Sequence, residues 1–234
     1  MKLVAAGLTG FTSFFFIGPT GVGKTQLSRL LGKTYSGNFY KINCAEYSSG
    51  HEYSKLIGSP PGYIGHTESS ILASKAEKSN KWVFVFDEIE KASDKFHDFL
   101  LSLLDDGTLT DNMGVTLDFT NSIFIFTSNQ GVKDTKVGET TLGFGSHVMQ
   151  YEESQEEILK SVKKEFSSEF LNRIDNFIFF NQLNKESIRK IVGLELKAVP
   201  VKKTNSLVSY ITEKAYSTEY GARNIARFIK NNVA

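Results

Sequence analysis

One glycine-rich segment, GPTGVGKT from Gly18 to Thr25, constrains the fold of this chain more than any other feature. It matches the pattern G-x-x-x-x-G-K-[ST], in which successive backbone N–H groups and a helix N-terminus surround phosphate oxygens. The apolar run at 11–17 before it is typical of a buried strand, and the leucine spacing after it indicates a helix. Because this pattern needs a strand, a loop and a helix in that order, we predict a phosphate-binding loop rather than a glycine-rich turn without a ligand.

The residue types in this loop have defined chemical roles in such a site. Lys24 would reach the β- and γ-phosphates of ATP, and the Thr25 hydroxyl would bind Mg²⁺. The glycines would allow the backbone N–H groups to turn inward around the phosphates. The predicted nucleotide-binding residues of the loop are Gly18, Pro19, Thr20, Gly21, Val22, Gly23, Lys24 and Thr25.

Two later apolar runs end in polar residues. The run WVFVF at 82–86 is followed by Asp87 and Glu88, and SIFIFT at 122–127 is followed by Ser128 and Asn129. Ligands of open parallel sheets bind at the carboxyl ends of the strands. We therefore expect Asp87 to hold Mg²⁺ and Glu88 to orient and deprotonate the attacking water. The alternatives are that the acidic pair only supplies favourable charge to the next helix and that Asn129 is an ordinary turn residue.

The composition excludes several classes of protein. Among the 234 residues, 40% are hydrophobic and 23% are charged, which is enough for a core, and the net charge of +1 gives no basic surface for nucleic acid. The single cysteine, Cys44, allows no internal disulfide and suits a reducing compartment, so we expect a cytoplasmic protein. The apolar runs are too short to span a bilayer, and we expect no membrane partner.

The order of the predicted elements favours an α/β fold. Five apolar strands alternate with helices, which predicts a five-stranded parallel sheet covered by helices on both faces. Residues 107–121 indicate a hairpin or a loop, and residues 152–170 predict one helix. The strand pattern then disappears and helical stretches follow. We therefore predict a large α/β ATPase subdomain at 1–183 and a small α-helical lid subdomain at 184–234.

Six motifs together resemble the AAA+ ATPase module of the Clp family. The closest likeness is to the second, C-terminal module of the two-ring members ClpA, ClpB, ClpC and ClpE, and it covers the chain from about residue 8 to its end. This resemblance implies a P-loop NTPase sheet followed by a helical lid, with both ends of the parent module missing. The motifs are, in chain order, GPTGVGKT, GSPPGYIG, VFVFDEIEKA, IFTSN, FLNRID and GARNI.

The resemblance assigns roles that the residues alone do not. Asn129 would be the first sensor, Arg173 an arginine finger that reaches a neighbouring subunit of a homo-hexamer, and Arg223 the second sensor. Tyr63 would grip unfolded or tagged protein substrates in the pore, or it would instead pack on the core. The implied pore loop consists of Gly62, Tyr63, Ile64 and Gly65.

The tripeptide Leu142-Gly143-Phe144 divides the family. Members that feed a ClpP-type peptidase carry an aliphatic-Gly-aromatic or aliphatic tripeptide shortly after the first sensor, whereas a ClpB-like disaggregase lacks it. The resemblance therefore implies that Leu142, Gly143 and Phe144 dock a peptidase, with local packing of the loop as the alternative.

These observations lead to one expectation and three rivals. We expect an ATP-hydrolysing unfoldase that threads polypeptide through a hexamer pore towards a ClpP-type peptidase. The rivals are a disaggregase without a peptidase, a nucleic-acid motor or clamp loader, and an inactive assembly scaffold. The neutral charge argues against the nucleic-acid motor, and the intact Lys24, Glu88, Asn129 and Arg173 argue against the scaffold.

Overall fold

The structure, a computed structural model, describes residues 10–49, 52–59, 70–130, 151–215 and 221–233, with the backbone alone at 151–154. The predicted pore loop Gly62–Gly65 and the predicted docking tripeptide Leu142–Phe144 lie outside the described residues.

A five-stranded parallel sheet carries the predicted site residues, which confirms the predicted fold class. Its strands are β1 (Thr12–Ile17), β2 (Phe39–Asn43), β3 (Val83–Asp87), β6 (Ile123–Ser128) and β7 (Asn176–Phe179). They lie in the order β2-β3-β6-β1-β7. Strand β6 therefore lies between β1 and β3, with Phe124 opposite Ser13 on one side and Phe84 on the other. In the chain between β3 and β6, β4 (Thr108–Thr110) and β5 (Thr116–Asp118) form a separate antiparallel hairpin. A hairpin was one of the two possibilities predicted for 107–121.

Helices connect these strands and continue beyond them. They are α1 (Lys24–Tyr35), α2 (Ser54–Ile57), α3 (Ile71–Lys78), α4 (Asp94–Asp106), α5 (Tyr151–Glu165), α6 (Ser168–Asn172), α7 (Lys185–Glu195), α8 (Asn205–Ala215) and α9 (Arg223–Asn232). Short 3₁₀ turns lie at Cys44–Tyr47, Ile89–Lys91 and Leu196–Ala198.

The helical prediction for 152–170 is confirmed except at 166–167, where a break divides the segment into two helices. Ser167 has extended backbone angles and its side-chain oxygen accepts a hydrogen bond from the backbone N–H of Phe170 at 3.2 Å. This is the geometry of an N-cap, so Ser167 begins a new helix instead of continuing the old one.

Aromatic side chains dominate the core around the sheet. Phe15, Phe84, Phe86, Phe124 and Phe126 are all fully buried on the central strands. Ring contacts join Phe86 to Phe126, with centroids 5.0 Å apart, and Phe84 to Phe124, with centroids 5.2 Å apart, across β3 and β6. Strands of a parallel sheet covered on both faces are expected to be apolar throughout, and this explains why polar residues in them are informative.

Residue contacts divide the chain into two compact units. The first contains the chain up to Ile178 except the loop Gly18–Lys24, and the second contains that loop together with the chain from Phe179 onward. The second unit has its own aliphatic core, formed by Ile188, Val192, Leu196, Val208, Ile211, Ala215, Ile225 and Ile229. The predicted boundary between 183 and 184 stays a prediction. Among the described helices, none combines the length and the apolar character needed to cross a membrane.

Candidate nucleotide-hydrolysis site

The phosphate-loop motif lies directly between β1 and α1, as its sequence context predicted. The backbone of Gly23 has φ +106°, a left-handed conformation that a side chain would strain, just before the first helical residue Lys24. The Lys24 side chain is buried, and its Nζ donates hydrogen bonds to the carbonyl oxygens of Gly18 at 2.5 Å and Pro19 at 2.8 Å. The loop therefore wraps around a cation at a helix N-terminus, which is an arrangement suited to phosphate.

The segment before Arg223 contacts this loop inside the second unit. The backbone N–H of Ala222 donates a hydrogen bond to the carbonyl of Gly21 at 3.1 Å. A Cβ atom added at Gly221 would lie 2.8 Å from the Thr20 carbonyl oxygen, so only glycine allows this close approach. The contact places Arg223, the exposed first residue of α9, two positions after a residue that touches the loop.

Asp87 lies at the carboxyl end of β3 and each of its oxygens has a partner. The Thr127 hydroxyl donates to Oδ1 at 2.6 Å, and the Lys41 ammonium lies 2.5 Å from Oδ2. Thr127 belongs to β6 and Lys41 to β2, so both neighbours of β3 contribute to the orientation of this carboxylate. Charge-assisted hydrogen bonds of this kind are short and strong.

Glu88 follows Asp87 in a left-handed conformation, with φ 58° and ψ 53°. No other non-glycine residue in the described part of the chain has a positive φ. Such a conformation costs about 1–3 kcal/mol and persists only where neighbouring groups hold it. Its N–H donates to the Thr127 hydroxyl at 3.2 Å, and its carboxylate pairs with the Lys91 ammonium at 2.7 Å.

Asn129 follows β6 and lies beside the same acidic segment. Its backbone N–H donates to Glu90 Oε1 at 3.2 Å, which links the residue after β6 to the turn after β3. The other oxygen, Glu90 Oε2, is buried and has no hydrogen-bond partner among the residues that the structure describes. The structure thus brings the predicted residues Asp87, Glu88 and Asn129 together at one end of the sheet.

Cys44 lies buried near the acidic residues at this end of the sheet, and they affect its pKa. It follows β2, and its thiol is completely buried. Burial raises its pKa well above the ordinary value of 9.0, and the nearby charges of Asp87, Glu90 and Glu88 raise it further. The charges of Asp87, Glu88 and Glu90 therefore lie close to the carboxyl ends of β2 and β3.

Arg173 lies at the opposite end of the sheet, just before β7 begins. Its guanidinium forms ion pairs with Asp105, at the end of α4, and with Glu169 Oε1 at 3.1 Å. The Arg173 carbonyl accepts a hydrogen bond from Ser13 Oγ at 3.2 Å, near the start of β1. Ser13 is level with Phe124 of β6, which precedes Thr127 by three residues or about 10 Å of strand. The structure therefore does not bring Arg173 together with Asp87, Glu88 and Asn129.

The residues of each unit, taken separately, fit a part of a magnesium nucleotide. A glycine loop with a buried lysine provides N–H donors and a positive charge for phosphate oxygens, as observed for Gly23 and Lys24. Asp87, already oriented by two partners, and the half-buried Thr25 hydroxyl at the start of α1 provide the oxygen ligands that Mg²⁺ prefers.

Some contributing residues were not found from the sequence. Thr127 could have been recognised, because a polar residue in an otherwise apolar strand needs a hydrogen-bond partner. Glu90 and Asp105 had no distinguishing signal, since each lies in a short acidic stretch of the sequence. Lys41 had no distinguishing signal either, because its pairing with Asp87 depends on the order of the strands.

Comparison with known proteins agrees with this geometry. Residues 10–177 match the family described as AAA domain (Cdc48 subfamily), and residues 183–234 match the C-terminal, D2-small domain, of ClpB protein. The ATP-dependent Clp protease ATP-binding subunit ClpC of Staphylococcus aureus (strain USA300) is 38% identical over 235 residues, covering 94% of this chain and 29% of the relative. ClpC of Staphylococcus epidermidis is 37% identical over the same shares. The chain spans 29% of the length of these relatives.

The fold and these matches define the class of the protein as an ATP-hydrolysing AAA+ domain. More particularly, the chain belongs to the Clp family of AAA+ ATPases, and it corresponds to the second, C-terminal module of ClpC.

Proposed function

We propose that this module uses ATP hydrolysis to unfold polypeptides and thread them through the pore of a homo-hexamer. The module would work in the cytoplasm as part of a longer Clp-type chain. The observation that carries the proposal is the oriented pair Asp87 and Glu88, held by Thr127 at the carboxyl end of β3. The likeness to ClpC over 94% of the chain supports the threading activity.

Each of the predicted site residues has a separate role in ATP hydrolysis. The loop Gly18–Thr25 binds the phosphates, with Lys24 neutralising their charge. Asp87 and Thr25 would hold Mg²⁺, which would supply positive charge to the phosphate oxygens. Glu88 accepts the proton of the attacking water, and the Asn129 side chain orients that water. Arg223 contacts the nucleotide bound to its own subunit, which its place next to the loop-contacting Ala222 supports.

Arg173 acts on the site of a neighbouring subunit. Its position at the amino end of the sheet supports this assignment, because its own Asp87 and Glu88 lie at the carboxyl end. An arginine supplied in trans stabilises charge that develops in the transition state and makes hydrolysis depend on assembly. Tyr63, flanked by Gly62, Ile64 and Gly65, would grip extended substrate chains without reading their sequence.

The partner that receives the threaded chain is a ClpP-type peptidase, docked by Leu142, Gly143 and Phe144. The relative ClpC is itself described as a Clp protease ATP-binding subunit, which supports this choice over a disaggregase. An apolar Leu and Phe flanking a glycine suit insertion into an apolar pocket on a partner.

The test measures degradation of an unfolded fluorescent protein by the full-length protein with ATP and a ClpP-type peptidase. One variant lacks Leu142–Phe144, and a matched control lacks Lys133–Thr135, an equally long polar tripeptide of the same stretch. We expect that only the first deletion abolishes degradation, while ATP turnover persists in both.

Two other outcomes would correct the proposal. If the full-length protein degrades nothing but dissolves aggregates with ATP, the module belongs to a disaggregase and the tripeptide has no docking role. If Lys24→Ala changes neither ATP turnover nor degradation, this module is not the motor of the protein.

A further inference from the structure

Thr127 is a polar residue in a strand that is otherwise apolar up to that point. It is the fifth residue of β6, in the run Ile-Phe-Ile-Phe-Thr-Ser, and only 1% of its surface is exposed. Its neighbour Phe126 lies opposite Phe86 of β3, so Thr127 is level with the point where β3 ends and Asp87 begins the acidic segment. A buried hydroxyl at this place must find its partners within the protein.

Those partners are the two residues that the proposed chemistry requires. The single Thr127 hydroxyl proton is donated to Asp87 Oδ1 at 2.6 Å. A lone pair on the same oxygen accepts the backbone N–H of Glu88 at 3.2 Å. One side chain therefore fixes a carboxylate and the backbone of the next residue at the same time, because a hydroxyl can donate one hydrogen bond and accept another.

This arrangement determines where two carboxylates point. The hydrogen bond to Oδ1 fixes the rotation of the Asp87 carboxylate, whose other oxygen faces Lys41. The hydrogen bond from Glu88 N–H anchors the left-handed backbone that sets the direction of the Glu88 side chain. Small errors in such directions are costly, since misplacement of a catalytic group by about 1 Å can slow a reaction about 10²-fold.

We infer that Thr127 is a positioning residue for ATP hydrolysis, which holds Asp87 and Glu88 in the mutual orientation that Mg²⁺ binding and water activation need. The inference rests on the proposed function, because Asp87 and Glu88 must carry that chemistry. Thr127 itself touches neither nucleotide nor water in this role. It acts through the carboxylate and the amide that it holds.

A purely structural role for Thr127 makes different predictions. If the hydroxyl only ties β6 to β3, its removal lowers the melting temperature but leaves the Mg²⁺ dependence of the surviving activity unchanged. If it positions the acids, its removal raises the Mg²⁺ concentration needed for turnover and lowers the maximal rate in protein that remains folded. Outer partners of metal-binding carboxylates typically affect metal affinity or activity about 10–100-fold.

The experiment compares ATP turnover of full-length variants over a range of Mg²⁺ concentrations, with melting temperature recorded for each. Thr127→Val keeps the shape but removes the hydroxyl, and we expect about 10–100-fold lower maximal turnover together with a higher Mg²⁺ requirement. Thr127→Ser keeps the hydroxyl and should retain most of the activity. Thr120→Val is the matched control, since the Thr120 hydroxyl also donates to a carboxylate, Asp118 Oδ1 at 2.7 Å, and its loss should change neither quantity.

The results distinguish a positioning role of Thr127 from a purely structural one. The inference is overturned if Thr127→Ser is as impaired in ATP turnover as Thr127→Val. It is also overturned if Thr127→Val has an unchanged rate and an unchanged Mg²⁺ dependence. If Thr127→Val does not fold, Thr127→Ser and Thr127→Cys replace it, and turnover must be higher for Ser because a thiol is a weak donor. Glu88→Gln and Lys24→Ala are measured in parallel. If these two variants also leave ATP turnover unchanged, the proposed function has failed. If they lose ATP turnover while Thr127→Val keeps it, only the positioning role of Thr127 is overturned.

Discussion

The two ends of the parallel sheet hold acidic side chains in opposite ways. At the carboxyl end, Asp87 is 16% exposed and lies between a buried hydroxyl on β6 and an ammonium on β2. At the amino end, Asp105 is 46% exposed and pairs with Arg173 at the end of a helix. The first carboxylate is fixed by strands whose order and register leave it little freedom. Among the described residues, the second is held by the side chain of Arg173 alone.

This difference suits the two roles that we propose. Groups that act on developing charge are most effective when their surroundings already hold them in place, as at Asp87 and Glu88. Exposed ion pairs contribute only about 0–1 kcal/mol, so Arg173 can exchange Asp105 and Glu169 for a partner on another subunit at little cost. We therefore expect preorganised chemistry at the carboxyl end of the sheet and an exchange of ion-pair partners at the amino end.

Replacing Arg173 tests the exchangeable end with the largest expected effect. We expect Arg173→Ala to lower the ATP turnover of the assembled protein about 10³–10⁵-fold, because a finger in trans is lost. Arg173→Lys should recover only part of it, since an ammonium lacks the planar fork of a guanidinium. The measurement is turnover against protein concentration.

The dependence of ATP turnover on protein concentration shows whether Arg173 acts in trans. Wild-type turnover should rise as subunits associate, and turnover of Arg173→Ala should stay flat. An equal loss at concentrations where wild type is monomeric would contradict action in trans.

Replacing Glu88 tests the preorganised end. We expect Glu88→Gln to lower turnover about 10²–10⁴-fold, because an amide cannot accept the proton of water. Nucleotide binding, measured with a fluorescent analogue, should persist. Glu186→Gln is the control, since Glu186 also pairs with a lysine of its own helix, Lys190 at 2.6 Å, but lies far along the chain from the acidic segment. Retained turnover in Glu88→Gln would remove the basis for the proposed base.

Sequence reasoning predicted the fold well and the site in part, for identifiable reasons. Apolar runs such as 82–86 and 122–127 predict strands by themselves, and the polar residues that follow them mark the carboxyl end of a parallel sheet. The neighbours of Asp87 could not be predicted in the same way. Lys41 and Thr127 reach it only because β2 and β6 flank β3, and strand order follows from tertiary packing rather than local pattern. The helix break at Ser167 was missed because one cap residue outweighed a continuous helical pattern.

Cys44 gives the carboxyl end a characteristic pH dependence. Burial, followed by the charges of Asp87, Glu90 and Glu88, raises the pKa of the Cys44 thiol well above its ordinary value of 9.0. The folded state therefore keeps the proton after the unfolded state has lost it. This stabilisation is complete below pH 9 and is lost as pH rises further, by up to about 1.4 kcal/mol per pH unit.

Urea unfolding between pH 7 and pH 10 measures this effect of Cys44. The wild-type unfolding free energy should fall more steeply above pH 9 than that of Cys44→Ala, and the difference isolates the thiol from other titrating groups. Parallel curves for the two proteins, or rapid reaction of the native thiol with an alkylating reagent at pH 8, would contradict a buried, charge-flanked Cys44.

Asp105 should show the opposite pH dependence, with the smallest effect. The hydrogen bond from the Arg173 guanidinium, aided by its charge, lowers the pKa of the Asp105 carboxyl below its ordinary value of 3.8, although partial burial opposes this. The stabilisation is therefore present above pH 3.8 and is lost as pH falls through the lowered pKa. A carboxyl NMR titration should show the Asp105 midpoint rising to its ordinary value in Arg173→Ala. The Asp118 midpoint, lowered mainly by Thr120, should not move. If the Asp105 midpoint is the same in Arg173→Ala as in the wild type, no ion pair holds the arginine at the amino end of the sheet. The contrast between an exchangeable and a preorganised end of the sheet would then fail.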